Sequence, residues 1–124
     1  MTPQSAKSKG RTFQQYICKR ILDWFPSLEP DDVMSKSMGA GGEDVMLSPA
    51  ARKLLPISIE AKNQEKVSLW ASWIQAQANA GKYNPVLIIK RNRTKPITVI
   101  DLEYFLSLVK GHEIVFVEKE TIDG

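Results

Sequence analysis

The chain has 124 residues, is 43% hydrophobic and 25% charged, and contains one cysteine, Cys18, and one histidine, His112. That is the size and composition of one ordinary globular domain, and so few thiols and imidazoles exclude a disulfide framework, a Cys/His zinc site and a histidine-based triad. The net charge is only +3, but Lys7, Lys9, Arg11, Lys19 and Arg20 form one basic cluster and Lys90, Arg91, Arg93 and Lys95 another, as expected of a polyanion-binding surface or, equally, of a solvated tail and loop.

Residues 1–10, MTPQSAKSKG, are polar and small, which predicts a flexible basic tail ahead of a single domain over residues 11–124. The tail lacks the apolar segment of a secretory signal, and the longest apolar runs, such as residues 86–89, are too short to cross a bilayer. A soluble protein of the cytoplasm is expected, or of the host cytoplasm if the source is a virus. From Thr12, the residues Phe13, Ile17 and Ile21 recur at helical spacing beside Tyr16, Leu22 and Phe25, and Thr12-x-x-Gln15 has the form of a capping box. The spacing predicts a helix over residues 12–25, ended by Pro26. A first strand follows over residues 32–38 and then the loop GAGG, which lacks a following Gly-Lys-Ser/Thr and reads as a flexible connector, not a phosphate loop.

DVMLS reads as a second strand beginning near Asp44, and Ser48-Pro49 opens one or two helical turns. After Pro56 the run ISIEAKN alternates apolar and polar residues as a strand does. Val67, Leu69, Trp70, Trp73, Ile74 and Ala78 stripe a helix closed by Gly81, and the spacing favours both tryptophans in the core over stacking on bases, any exposed part of the stripe suiting a dimer interface. VLIIK is apolar on both faces, as an interior strand is. The basic loop RNRTKP, the strand ITVI, a helix capped by Asp101 and closed by Gly111, and the strand EIVFVEK complete the chain. This order predicts an α/β fold with a central mixed sheet of five to six strands flanked by helices. His112, just past a helix end, reads as a surface residue.

Within ISIEAKN, Glu60 and Lys62 leave the same face of the strand with Cα atoms about 7 Å apart. Solvated strands often carry such pairs, and the pair gains meaning from Asp44, at the start of the preceding strand, where it can lie beside Glu60. Two carboxylates on adjacent strands form a hard, oxygen-only site that suits Mg2+ or Mn2+. Such a metal polarises a phosphoryl oxygen and acidifies water, and a neighbouring ammonium orients that water or offsets charge building on phosphate. Asp, Glu and Lys so arranged make a phosphodiesterase site that needs no histidine.

Asp44 followed by ISIEAK, with Glu60 and Lys62, resembles the PD-(D/E)XK nuclease superfamily. The core of that superfamily is a helix, a three-stranded meander bearing the Asp and the E-x-K, a helix and a further strand. KGRTFQQYICKRIL is similar to the first helix of the small archaeal and phage Holliday junction resolvases, and the whole resemblance spans about residues 9–91. It implies a restriction-endonuclease-like domain, a metal-dependent endonuclease acting on branched DNA, and a homodimer matched to a two-fold junction. It further implies Mg2+ or Mn2+ bound by Asp44, Glu60 and the backbone carbonyl of Ala61, an attacking water positioned by Lys62, and a site serine at Ser37.

Two positions depart from the pattern. Glu43 stands where the resolvases have proline, and Gln14 stands where they have a helix glutamate, which leaves the site one negative charge short. Gln14 is either a weak site residue or an exposed neighbour of a capping Gln15. Lys7, Lys9, Arg11, Lys90, Arg91, Arg93 and Lys95 are expected to contact phosphates, which position a backbone without reading sequence and favour a substrate defined by shape. The alternatives are a structure-blind phage-type nickase or end-processing nuclease, a nuclease-fold protein that binds nucleic acid without cutting it, and a protein-interaction domain whose E-x-K is a solvated strand face.

Overall fold

The computed structural model describes residues 2–36, 41–112, 116, 117 and 119. Helix α1 (Pro3–Trp24) starts well before the expected boundary, because Thr2 accepts a hydrogen bond from the Ser5 amide at 3.0 Å and Pro3 occupies the first helical position. Residues 3–10 are therefore the first turns of α1, mostly exposed, and not a flexible tail. Thr12 and Gln15 lie inside the helix and cap nothing. Its buried face comprises Phe13, Gln14, Ile17 and Cys18.

After Trp24 come strand β1 (Val33–Ser35), strand β2 (Val45–Leu47), helix α2 (Pro49–Leu54) and strand β3 (Ile57–Asn63). Helix α3 (Leu69–Asn79), strand β4 (Asn84–Lys90), strand β5 (Ile97–Val99) and helix α4 (Leu102–Val109) follow. β1 is shorter than expected, and Ser37 lies outside the described residues, as does most of the strand expected over 113–119. The Ser48 hydroxyl accepts from the Ala51 amide at 3.1 Å and donates to Asp32 at 2.6 Å, so one side chain starts α2 and ties it to the turn before β1.

The strands form one open mixed sheet in the order β1-β2-β3-β4-β5. β1, β2 and β3 are an antiparallel meander, β4 runs parallel to β3 through the α3 crossover, and β5 returns antiparallel. Phe13, Ile17 and Cys18 of α1 pack with Val33, Val45, Leu47 and Ile59 of the sheet on one face. On the other face α3 packs against β3 and β4. The expectation that both tryptophans lie in the core fails for Trp70, which is 73% exposed, as is Ile74 at 64%; Trp73 is half-buried, and Ser72, Ala76 and the following Ala80 are buried. Small residues at a spacing of four let this helix lie close to the sheet and turn its bulk outward. α4 buries none of its residues. No helix among the described residues is long and apolar enough to cross a membrane.

Candidate active site

β3 organises the site because both its faces are covered. Ile57, Ile59 and Ala61 join the core under α1, whereas Ser58 leaves the opposite face, where its hydroxyl donates to the Asn79 carbonyl of α3 at 3.4 Å. Glu60 and Lys62 share that second face by alternation. Glu60 is thus no solvated strand residue: it is 3% exposed and sits in register beside Leu87, which is fully buried.

Asp44 stands immediately before β2 and is fastened to both neighbouring strands. Its amide donates to the Ile59 carbonyl at 2.8 Å, its carbonyl accepts from the Lys36 amide at 2.9 Å, and its carboxylate accepts from the Ala61 amide at 2.7 Å. The carboxylate therefore lies along the Glu60–Ala61 segment. Burial pushes the Asp44 carboxyl above its ordinary range, against the opposing pull of the Ala61 amide and of the charges on Lys62 and Lys36. Burial also raises Glu60, and the charge of Asp44 raises it further, while Lys62 and the Asn79 side chain act the other way. Glu60 is buried and Asp44 half-buried, and the charge of Asp44 bears on Glu60, an arrangement whose electrostatics would be relieved by a cation.

Lys62 Nζ lies 3.5 Å from Glu60 Oε1, while Glu60 Oε2 is buried without a hydrogen-bond partner. An orphaned carboxylate oxygen costs about 1–3 kcal/mol or more if charged, and a divalent cation shared with Asp44 would satisfy it. Among the described residues no three His, Cys, Asp or Glu side chains come together, so the chain would offer two carboxylates and main-chain oxygen. The Ala61 carbonyl fits that role: an extended residue directs N–H and C=O to one edge, and its N–H already faces Asp44. Few protein ligands with room for water match Mg2+ or Mn2+.

The other expected residues divide. Gln14 is buried at 5% exposure on the α1 face that packs on the sheet, so it is not the exposed neighbour of a cap. That layer covers Ile59 and Ala61, whereas Glu60 and Lys62 leave by the other face. Lys7 and Arg11 are exposed on α1 and Lys9 is half-buried. Lys90 does not offer its charge freely to solvent, because Nζ donates to the carbonyls of Arg91 at 3.2 Å and Thr94 at 3.0 Å and so closes the basic loop. Arg91, Arg93 and Lys95 are exposed on that loop. The Gln64 amide donates to the Lys90 carbonyl at 3.1 Å and the Asn92 amide to the Glu65 carboxylate at 2.9 Å, which fastens the loop beside the end of β3 that carries Lys62.

Two features have no counterpart in the sequence motif. Lys36, just past β1, reaches the loop at Gly41 with its ammonium and acts electrostatically on Asp44. Arg52 of α2 pairs with Glu43, donates to the Ile57 carbonyl and stacks over the Tyr83 ring at 4.1 Å. One guanidinium thereby joins the residue before Asp44, the start of β3 and the residue before β4. Neither was legible earlier, because nothing local in the sequence specifies which distant partner a lysine or arginine will meet. No protein-family model, curated protein or solved structure matches the chain.

Proposed function

We propose that the chain is a metal-dependent endonuclease that hydrolyses DNA phosphodiester bonds, acts on branched DNA as a Holliday junction resolvase does, and works in the cytoplasm as a homodimer. The observation that carries this reading is the buried Glu60 with the half-buried Asp44 held against the adjoining Ala61 amide and Lys62 3.5 Å from Glu60. The order of helix, antiparallel meander, helix and parallel strand supports it, because that is the PD-(D/E)XK core. The exposed apolar residues Trp70, Ile74, Leu102 and Leu106 support the dimer.

Asp44, Glu60 and the Ala61 carbonyl would hold Mg2+ or Mn2+, which when bound supplies a Lewis acid for the phosphoryl oxygen and an acidified water. The chain's own residues do the rest. Lys62 orients the attacking water with a donor proton and offsets charge on the phosphate. Leu87, fully buried in register beside Glu60, keeps bulk water from the floor of the site. Arg91, Arg93 and Lys95 hold the DNA backbone at the end of β3.

A second reading, a nuclease-fold protein that binds DNA without cutting it, is favoured by one observation: among the described residues no third acid joins Asp44 and Glu60, and Gln14 is the residue that the resemblance aligns with a site glutamate. Titration of Mn2+ into the wild type, Asp44→Asn and Glu60→Gln separates the two, together with cleavage of DNA in Mn2+. The nuclease reading expects one saturable site lost in both variants and cutting by the wild type alone. DNA binding without metal uptake or cutting would establish the second reading.

A further inference from the structure

We propose that Lys36 is a second cationic residue of this site, contacting the scissile phosphate from the β1 side as Lys62 does from β3. The inference rests on the nuclease reading and deepens it. β1, β2 and β3 are consecutive in the sheet, so Lys36 just past β1 and Lys62 in β3 stand on strands that flank Asp44. The Lys36 amide donates to the Asp44 carbonyl at 2.9 Å, which fixes the lysine backbone against the acid.

The ammonium of Lys36 is held but not neutralised. It donates to the Gly41 carbonyl, and among the described residues it forms no salt bridge. Gly42, at φ +89°, makes room for it: a Cβ at that position would lie 3.1 Å from Lys36 Nζ. Gly41 and Gly42 thus hold an ammonium that rests on a neutral oxygen. A phosphate oxygen is a stronger acceptor than a carbonyl, so an arriving phosphodiester draws the ammonium from Gly41. The half-buried stem loses little freedom in that exchange. Lys62 is already engaged with Glu60 at 3.5 Å, so it divides its charge between the acid, the water and the phosphate.

The test compares wild type, Lys36→Met and Lys36→Gln. Glutamine keeps a donor pointed toward Gly41, one atom shorter, and removes the charge, whereas methionine removes both. Binding of a labelled four-way junction is followed by anisotropy in Ca2+ against salt concentration, kcat and KM are measured in Mg2+, and Mn2+ affinity is titrated separately. Both variants are expected to lower the slope of log K against log salt by about 1 and kcat/KM on the order of 100-fold, with Mn2+ affinity unchanged or tighter. Wild-type slope and kcat/KM in both variants would overturn the proposal, as would recovery in Lys36→Gln alone, which would make the residue a holder of the loop. A wild type that cuts nothing while the slope still depends on Lys36 would remove the nuclease reading and leave the phosphate contact standing.

Discussion

Glu60 carries an acid into a place 3% open to solvent, and its protonation behaviour follows. Burial and Asp44 both raise its folded pKa, so the folded chain holds this proton more tightly than the unfolded chain does. The resulting stability is full below the ordinary carboxylate range and is lost as pH rises through the raised values. In metal-free buffer, melting temperature should therefore fall as pH rises from about 4 to neutrality, the ordinary range being near 4. Glu60→Gln should gain about 1 kcal/mol at pH 7, a shift of a few degrees, and flatten that dependence in thermal melts. Since Mn2+ competes with the same protons, its affinity should rise with pH over the same window in calorimetric titrations. Lys62→Met should lower kcat by about 100- to 10,000-fold while anisotropy shows DNA affinity within a few-fold of wild type. The E-x-K and its aspartate were legible because strand alternation and the order of elements are local properties. The burial of Glu60 was not, because the alternation that marks a strand does not say whether its polar face meets water or a helix.

At the scale of elements, Arg52 holds the site's geometry. It joins Glu43, Ile57 and Tyr83, so it sets the approach of the β2 start to β3 and hence of Asp44 to Glu60. Arg52→Met should destabilise the chain by about 3 kcal/mol in denaturant unfolding, because it strands the Glu43 carboxylate in a partly buried place. Arg52→Met with Glu43→Gln should cost less than the two single changes together. Most elements were legible from their stops and caps, notably Ser48-Pro49 and Asp101, which accepts from the Tyr104 amide at 3.1 Å. The start of α1 was misplaced because Thr12-x-x-Gln15 imitates a cap inside a helix that Thr2 and Pro3 already begin. The face of α3 was misread because hydrophobic size marked Trp70, whereas close packing on the sheet selected Ser72 and Ala76.

For the whole molecule, the charge distribution brings the basic loop of Arg91, Arg93 and Lys95 to the end of β3 that bears Lys62, although net charge is only +3. DNA affinity should fall steeply with salt, and replacing Arg91 and Arg93 by alanine should lower the log–log slope by about 2 with little change in sequence preference. The open, mixed topology was legible in the order of elements, but the convergence of Lys36, Asp44, Glu60 and the loop depends on long-range pairing that no local pattern encodes. Hydrolysis at Asp44, Glu60 and Lys62 is tested most directly by cleavage of a labelled four-way junction beside linear duplex and single strand of matched sequence. Each would be incubated with Mg2+, Mn2+ or EDTA, using wild type and Lys62→Met. Paired, metal-dependent cuts confined to the junction and lost in the variant are expected. Junction binding with no cutting in any metal, or cutting equal in wild type and Lys62→Met, would contradict hydrolysis at these residues.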